Sequence, residues 1–146
     1  MSRSVSDLSQ LLRSMQPVKN EGVYVFASVP LSFDVGSLAP VATIREPEGL
    51  TVVVEEGCAR RAELSVLFRA VWITLNVHSD LQALGLTAAV ASALGQANIS
   101  CNLLAGAFHD HIFVPVESGE RALATLHELQ ARSQESAAPE GSGDPR

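Results

Sequence analysis

The chain has 146 residues, with ten lysines and arginines against sixteen acids and a formal net charge of −6. This length builds one domain or two very small ones, and 47% hydrophobic against 18% charged residues excludes a disordered chain. The longest basic run is Arg60-Arg61. Because the acidic chain has no basic cluster to bind a phosphate backbone, we expect no nucleic-acid partner.

The N-terminal residues carry an acid at Asp7 and no apolar core segment, which is not the pattern of a signal peptide. We therefore expect a cytoplasmic protein. Cys58 and Cys101 lie far apart and outside any Cys-x-x-Cys pattern. In a reducing compartment this favours two free thiols over a disulfide or a zinc site.

The first half is predicted to contain a helix followed by three strands and a short helix. Apolar residues at helical spacing define the first helix, Val5–Met15, and Pro17 follows it. The next segments are rich in β-branched residues or flank a turn, and they are predicted as a strand, a hairpin and a short helix: Gly22–Val29, Val41–Arg45 with Leu50–Val54, and Glu55–Leu64.

The second half has the pattern β-α-β-β-α. Its predicted elements, in chain order, are Phe68–Val77, Leu84–Asn98, Ile99–Phe108, Ile112–Val116 and Gly119–Arg132. The remaining residues, 133–146, hold no large apolar side chain and are rich in Ser, Gly, Pro and acids. We predict that they form a disordered tail.

The stretch from Ala70 to His109 contains a single formal charge, Asp80. Polar residues interrupt the uncharged part, 81–108, every few positions, so it does not predict a membrane span. The remaining explanations are burial on two faces of a small domain, or packing against another domain or subunit. We expect an interface to be part of the answer, and therefore a homo-oligomer.

Several segments of the sequence closely resemble a family of short bacterial tandem-ACT proteins of unassigned function. The segments that carry the resemblance are Trp72–Ser79, Leu84–Val90, Ile99–Asn102 and Ala105–Pro115 in the second half, and Gly22–Phe26 and Arg45–Thr51 in the first. The resemblance covers roughly 5–131. The same tandem arrangement is found in the eukaryotic CASTOR arginine sensors, to which this family is distantly similar.

The resemblance implies an α+β fold of two ferredoxin-like βαββαβ modules in tandem, which we place at 1–66 and 67–132. The second module lacks its sixth element, since the tail offers no strand. An earlier strand, such as Val23–Val29, is available to complete it by crossing between the halves. The implied function is regulation by a small ligand, usually an amino acid, held where two ACT modules meet. The resemblance implies no catalytic step, and we expect no cofactor and no metal.

In ACT domains the ligand lies against the loop that joins the first strand to the first helix, and on the second strand of the facing module. These positions correspond to Val77–Thr87 and Asn102–Phe108. The candidate ligand-binding residues in and beside these segments are His78, Ser79, Asp80, Leu84, Gly85, Leu86, Thr87, Asn102, Ala105, Gly106, Phe108 and Asp110.

Gly85 and the residues before it have both a functional and a structural interpretation. A helix that begins at Gly85 offers free backbone N–H groups to an α-carboxylate, whereas glycine also serves simply to allow a turn. The Asp80 carboxylate suits a ligand ammonium, and with His78 and Ser79 it is equally able to cap the loop backbone. Neighbours in one loop do not form a catalytic triad, so we predict no enzyme.

His109-Asp110-His111 suggests a metal site, because imidazoles at i and i+2 of a strand share a face, with His78 or Cys101 as a third ligand. A tight turn with Asp110 at its tip explains the tripeptide as well. We favour a polar cluster that closes over a ligand or an interface. The rival to the ligand-binding function is a structural or protein-interaction module that uses the uncharged surface of 70–109 without a ligand.

Overall fold

The computed structural model describes residues 5–77 and 85–136, and the side chains of 8–77 and 85–133. Within these ranges the chain forms helices and strands in this order: α1 (Val5–Ser14), β1 (Pro17–Lys19), β2 (Tyr24–Val29), β3 (Ala42–Glu46), β4 (Gly49–Glu55), α2 (Glu56–Arg61), β5 (Phe68–Leu75), α3 (Leu86–Gln96), β6 (Asn102–Ala105), β7 (Asp110–Pro115) and α4 (Gly119–Ser136). Two short 3₁₀ helices, Val35–Leu38 and Val116–Ser118, complete the set.

Each predicted helix and strand is present, with bounds that differ by a few residues. The helix α4 continues to Ser136 and so includes the start of the predicted tail, 133–136. The rest of that tail lies outside the described residues. The sequence analysis did not predict β1 or the two 3₁₀ helices.

The strands form one antiparallel sheet in the order β3-β4-β2-β5-β7-β6, and β1 pairs with β5 beside β2. One edge of β5 is divided between two partners, because Phe68–Ala70 pairs with β2 and Ile73–Leu75 pairs with β1. The other edge of β5 pairs with β7 over Ala70–Leu75.

This division completes both ferredoxin-like modules. The start of β5 is the sixth element, and thus the fourth strand, of the first module, and β1 is the same element of the second. The expected crossing strand is therefore present, but Pro17–Lys19 forms it. Residues Val23–Val29, suggested for that role, supply β2, the first strand of the first module.

One face of the sheet packs against the helices. The larger core joins α1, α3 and α4 to β5 and β7, with Met15, Ile73, Leu86 and Leu126 fully or almost fully buried. A smaller core packs β2 and β4 against α2 and the first 3₁₀ helix. The N-terminal helix α1 thus belongs structurally to the second half of the chain.

The opposite face of the sheet carries an aromatic cluster. Trp72 lies 5.1 Å from Tyr24 in an edge-to-face contact and 6.2 Å from Phe113 in a stacked one, measured between ring centroids. Phe26 makes edge-to-face contacts with Phe68 and Phe113. These rings cover the centre of the sheet, which explains why β5 is apolar on both faces.

Burial explains the lack of charged residues in only part of the stretch 70–109. The inner side of α3 is buried through Leu86, Val90, Ala93 and Leu94. Its outward positions are exposed although they carry no charge, and they are Thr87, Ala88, Ala91, Ser92, Gly95 and Gln96.

The assignment of α1 to the second module's core predicts a large effect at Met15, which has 0% of its surface exposed. We expect Met15→Ala to lower the free energy of unfolding by about 2–5 kcal/mol, because it leaves a cavity beneath β5. Denaturant unfolding measures this difference. The exposed neighbour Gln16 is the control, and Gln16→Ala should stay within about 0.5 kcal/mol of the parent. Equal stability of the two variants would contradict this packing.

Candidate functional site

Among the predicted ligand-binding residues that the structure describes, Ala105, Gly106 and Asp110 lie at one end of the sheet, whereas Asn102 starts β6 at the other end of that strand, opposite Phe113. Across this end, Asp110 at the start of β7 pairs with Leu75 at the end of β5 and with Ala105 at the end of β6. The connection from β5 to α3 leaves from the same end. Four of the candidates in that connection, His78, Ser79, Asp80 and Leu84, lie outside the described residues.

Gly85 lies immediately before α3, where its conformation and its packing bear on both interpretations of this residue. Gly85 precedes the helix with a φ of +94°, a conformation that favours glycine. A Cβ atom at this position would lie 3.0 Å from Cδ2 of Leu8 in α1. The turn and the packing therefore require glycine whether or not a ligand binds. The Leu86 side chain is only 2% exposed in the core, so Leu86 can offer a ligand its backbone but not its side chain.

The hairpin between β6 and β7 forms the other wall of this sheet end. It is closed by a hydrogen bond that the backbone N–H of Gly106 donates to the carbonyl of His109, with an N···O distance of 2.9 Å. Beyond this bond, the side chain of Phe108 is 71% exposed. The tip of the hairpin therefore lies at Ala107-Phe108, and the alternative that places Asp110 at the tip of a turn is wrong, because Asp110 is already in β7.

Asp110 is the buried acid of this sheet end, with 7% of its surface exposed. It occupies the same face of β7 as Ile112 and Val114, which belong to the core beneath the helices. Burial raises the pKa of the Asp110 carboxyl, and the neighbouring His111 imidazole acts in the opposite direction. A carboxylate that is costly to bury marks a functional candidate.

His111 points to the opposite, aromatic face of β7. Its Nδ1 accepts a hydrogen bond from the indole Nε1–H of Trp72 at 3.1 Å, and the Thr74 hydroxyl lies 3.3 Å away. Burial lowers the pKa of His111, the nearby His109 lowers it further, and Asp110 raises it. The sequence analysis missed this network, although the alternation of Trp72 and Thr74 on one predicted strand was a usable signal.

The metal hypothesis gains no support in the described part of the chain. There, no group of three or more His, Cys, Asp and Glu side chains is placed to hold a metal ion. Burial raises the pKa of the Cys101 thiol, which opposes the thiolate that metal binding needs. His109 contributes a buried Nδ1 for which the described structure shows no hydrogen-bond partner.

Comparison with known proteins identifies the two modules. Residues 3–70 match one ACT domain model and residues 68–128 match another. The chain belongs to the ACT domain family. It is also similar to a protein of unknown function from Vibrio cholerae, described as a possible transport protein, with 46% sequence identity and a TM-score of 0.79 over 86% of this chain and 98% of that one.

More distant solved structures share the tandem ACT fold. A protein from Agrobacterium tumefaciens is 17% identical, with a TM-score of 0.65 over 80% of this chain and 89% of that chain. The ligand-free regulatory subunit of aspartate kinase from Thermus thermophilus is 10% identical, with a TM-score of 0.60 over 80% and 96%. A search of the curated proteins finds no significant match.

The fold prediction of two tandem ACT modules is thereby confirmed, as is the resemblance to a bacterial tandem-ACT protein. The division at 66/67 stays a prediction. Among the described helices, none has the length and apolar character needed to cross a membrane. ACT domains are regulatory modules, so the comparisons favour regulation over catalysis.

The buried carboxylate of Asp110 predicts a stabilising substitution. Because burial raises its pKa, the folded state binds the proton more tightly than the unfolded state does. The stability this gives is fully present below the unfolded pKa of about 4 and is lost as the pH rises through the folded pKa. Asp110→Asn, which carries no charge, should therefore raise the free energy of unfolding at neutral pH, with a gain that shrinks toward acid.

Denaturant unfolding at several pH values measures this effect. The exposed acid Glu128 on α4 supplies the control, since Glu128→Gln should leave the free energy of unfolding within about 0.5 kcal/mol of the parent. A loss of stability in Asp110→Asn at neutral pH would show that the ionised carboxylate is a structural partner and not a poorly solvated group.

Proposed function

We propose that this protein is a regulatory module that binds an amino acid, or a closely related small metabolite, at the sheet end described above. The observation that carries the proposal is the buried carboxylate of Asp110, which lies where β5 ends and the connection to α3 begins. The ACT domain matches support regulation by a small molecule. The position of the ligand is our inference from the residues.

The two ends of an amino acid have complementary partners here. The first turn of α3 follows Gly85, which has no side chain to cap it, so its backbone N–H groups are suited to an α-carboxylate. The ammonium group is assigned to Asp110, with Asp80 as a second carboxylate of the same region. The exposed residues Thr87 and Phe108 are then placed to cover the ligand from opposite sides.

The solved structures support the fold and name no ligand for this chain. The aspartate kinase subunit from Thermus thermophilus is a regulatory one, and at 10% identity it bears on the fold alone. The distant similarity to the CASTOR sensors, a cytoplasmic location and the absence of nucleic-acid and membrane partners all stay predictions.

We also propose that the protein self-associates through the outward side of α3. This side is exposed but uncharged, at Ala88, Ala91 and Ser92 among others, and the cores of protein interfaces are depleted in charged residues. Sedimentation tests the idea. The parent should form a defined oligomer that Ala91→Glu dissociates, and a parent that is monomeric at tens of micromolar would remove the proposal.

A thermal-shift screen of the twenty amino acids tests the proposed function. A ligand at a hundred times its dissociation constant should stabilise the native state by about 2.7 kcal/mol. Calorimetry on the best ligand then measures its affinity for the parent, Asp80→Asn and Asp110→Asn. At least one of these variants should weaken binding by about 1.5–3 kcal/mol, because it loses a charge-assisted hydrogen bond.

Glu128→Gln is again the matched control, and it should bind as the parent does. If Asp110→Asn is both more stable and weaker in binding, Asp110 serves the ligand at the expense of the fold. Should an amino acid bind with an affinity that is indifferent to both aspartate variants, the site lies elsewhere on the chain. If no amino acid shifts the melting temperature, the rival structural or protein-interaction role is favoured.

A further inference from the structure

A cavity of about 210 Å³ lies between the two edges of the sheet. Val41 and Ala42 line it from the edge strand β3, Leu104–Gly106 line it from the edge strand β6, and His111 and Phe113 line it from β7. The strands β3 and β6 are at opposite ends of the strand order. They meet at one cavity because the sheet curls around its aromatic face.

The aromatic cluster determines the shape of this cavity. Phe113 is fully buried and stacks on Trp72 at a centroid distance of 6.2 Å. Trp72 in turn contacts Tyr24 of the first module. The floor of the cavity is thus supported by rings from both modules, and the cavity belongs to the tandem arrangement and not to either module alone.

His111 is the polar group of this lining, and its neighbours fix its protonation state. The indole nitrogen of Trp72 can only donate, so Nδ1 of His111 must accept its hydrogen bond, which is 3.1 Å long. In a neutral imidazole the other nitrogen, Nε2, then carries the proton. Protonation of Nδ1 would place two N–H groups against each other, and burial already lowers the pKa of His111.

The Nε2–H group of His111 has room beside it because position 106 is a glycine. A Cβ atom on Gly106 would lie 3.2 Å from Nε2 of His111 and 2.9 Å from the carbonyl oxygen of His109. Gly106 does not have a positive φ, so its backbone conformation does not demand glycine. Glycine is needed here because a side chain would fill the space beside Nε2 of His111.

The lining also indicates the class of ligand. The described side chains around the cavity are apolar apart from the neutral imidazole, so an ionised group would be buried without a counter-ion, which is costly. A neutral acceptor, such as a carbonyl or amide oxygen, suits the N–H donor of the imidazole. The volume lies below the range of about 300–1,000 Å³ that is usual for drug-sized ligands, so the ligand must be small.

We propose that this cavity is a second binding site, in which His111 Nε2–H donates to the uncharged oxygen of a small aliphatic molecule that packs on the partly exposed side chains of Val41, Ala42 and Leu104. The site shares Ala105 and Gly106 of the β6–β7 hairpin with the predicted amino-acid site, but its polar group lies on the other face of the sheet. Successive residues of β7 point to opposite faces, so Asp110 serves the helix side and His111 the curled side.

Isobutyramide is the probe, because it combines a small branched aliphatic group with one neutral carbonyl acceptor. The chain has a single tryptophan, so the indole N–H of Trp72 gives one resonance that reports directly on His111. Titration with isobutyramide should shift this resonance saturably in the millimolar range. Isobutyrate, which has a similar shape but a negative charge, should bind at least tenfold more weakly.

Two leucine substitutions at neighbouring positions of β3 distinguish the effect of filling the cavity from a general effect on the strand. Ala42→Leu fills the cavity and should weaken isobutyramide binding at least tenfold. Thr43, next to it, is exposed and faces the other way, so Thr43→Leu should leave the affinity within twofold. Ala42→Val, with a smaller side chain, provides a graded version should Ala42→Leu fail to fold.

Two results would overturn the proposal. One is the absence of a saturable shift of the Trp72 resonance in the folded parent. The other is an affinity that is unchanged in a folded Ala42 variant. Asp110→Asn should bind isobutyramide as the parent does, so a failure of the amino-acid site and a failure of this site are distinguishable.

Discussion

The pairing of β5 with two different strands along one edge is the constraint on which the rest of the structure depends. Its first residues, Phe68–Ala70, close the first module against β2, and its last, Ile73–Leu75, receive β1 to close the second. Since each ferredoxin-like module needs a fourth strand as its sixth element, neither is complete without this shared strand. The helix α1 follows from it, because the chain that delivers β1 also delivers Leu12 and Met15 to the second core.

The shared strand also explains how one short segment carries two kinds of chemistry. The strand β7 pairs with the edge of β5 that lies opposite β1 and β2. Its alternate residues therefore point to the helix-covered face and to the curled aromatic face. Asp110 is buried toward the helices, while His111 accepts a hydrogen bond from Trp72 on the other side. A change of one residue in register would exchange these environments, so the pairing of β5 with β7 sets the electrostatics of both proposed sites.

The parts of the fold that follow from local pattern were predictable from the sequence. Helical spacing located α1, α3 and α4, and the β-branched runs located the larger strands. The strand β1 was missed because three residues beginning with a proline carry almost no periodicity, and only their pairing with β5, more than fifty residues away, makes them a strand. Its existence is a consequence of tertiary structure.

The candidate site was predictable in its region but not in its detail. The sequence placed Gly106 and Asp110 near one another, and the structure brings both to one end of the sheet. It could not show that the hairpin tip lies at Ala107-Phe108, because hairpin register is set by cross-strand pairs and not by turn residues alone. The hydrogen bond between Trp72 and His111 depends on the same non-local register, so it could not be predicted from the sequence either.

Native-state hydrogen exchange tests the central claim, that the shared strand makes the two ACT modules one cooperative unit. The buried amides of Val52 in β4 and Ile112 in β7 report on the two modules separately. With increasing denaturant, both amides should reach the same opening free energy, equal to that of global unfolding. If the Val52 amide exchanges through an opening that leaves Ile112 protected, the modules unfold independently and the claim is contradicted.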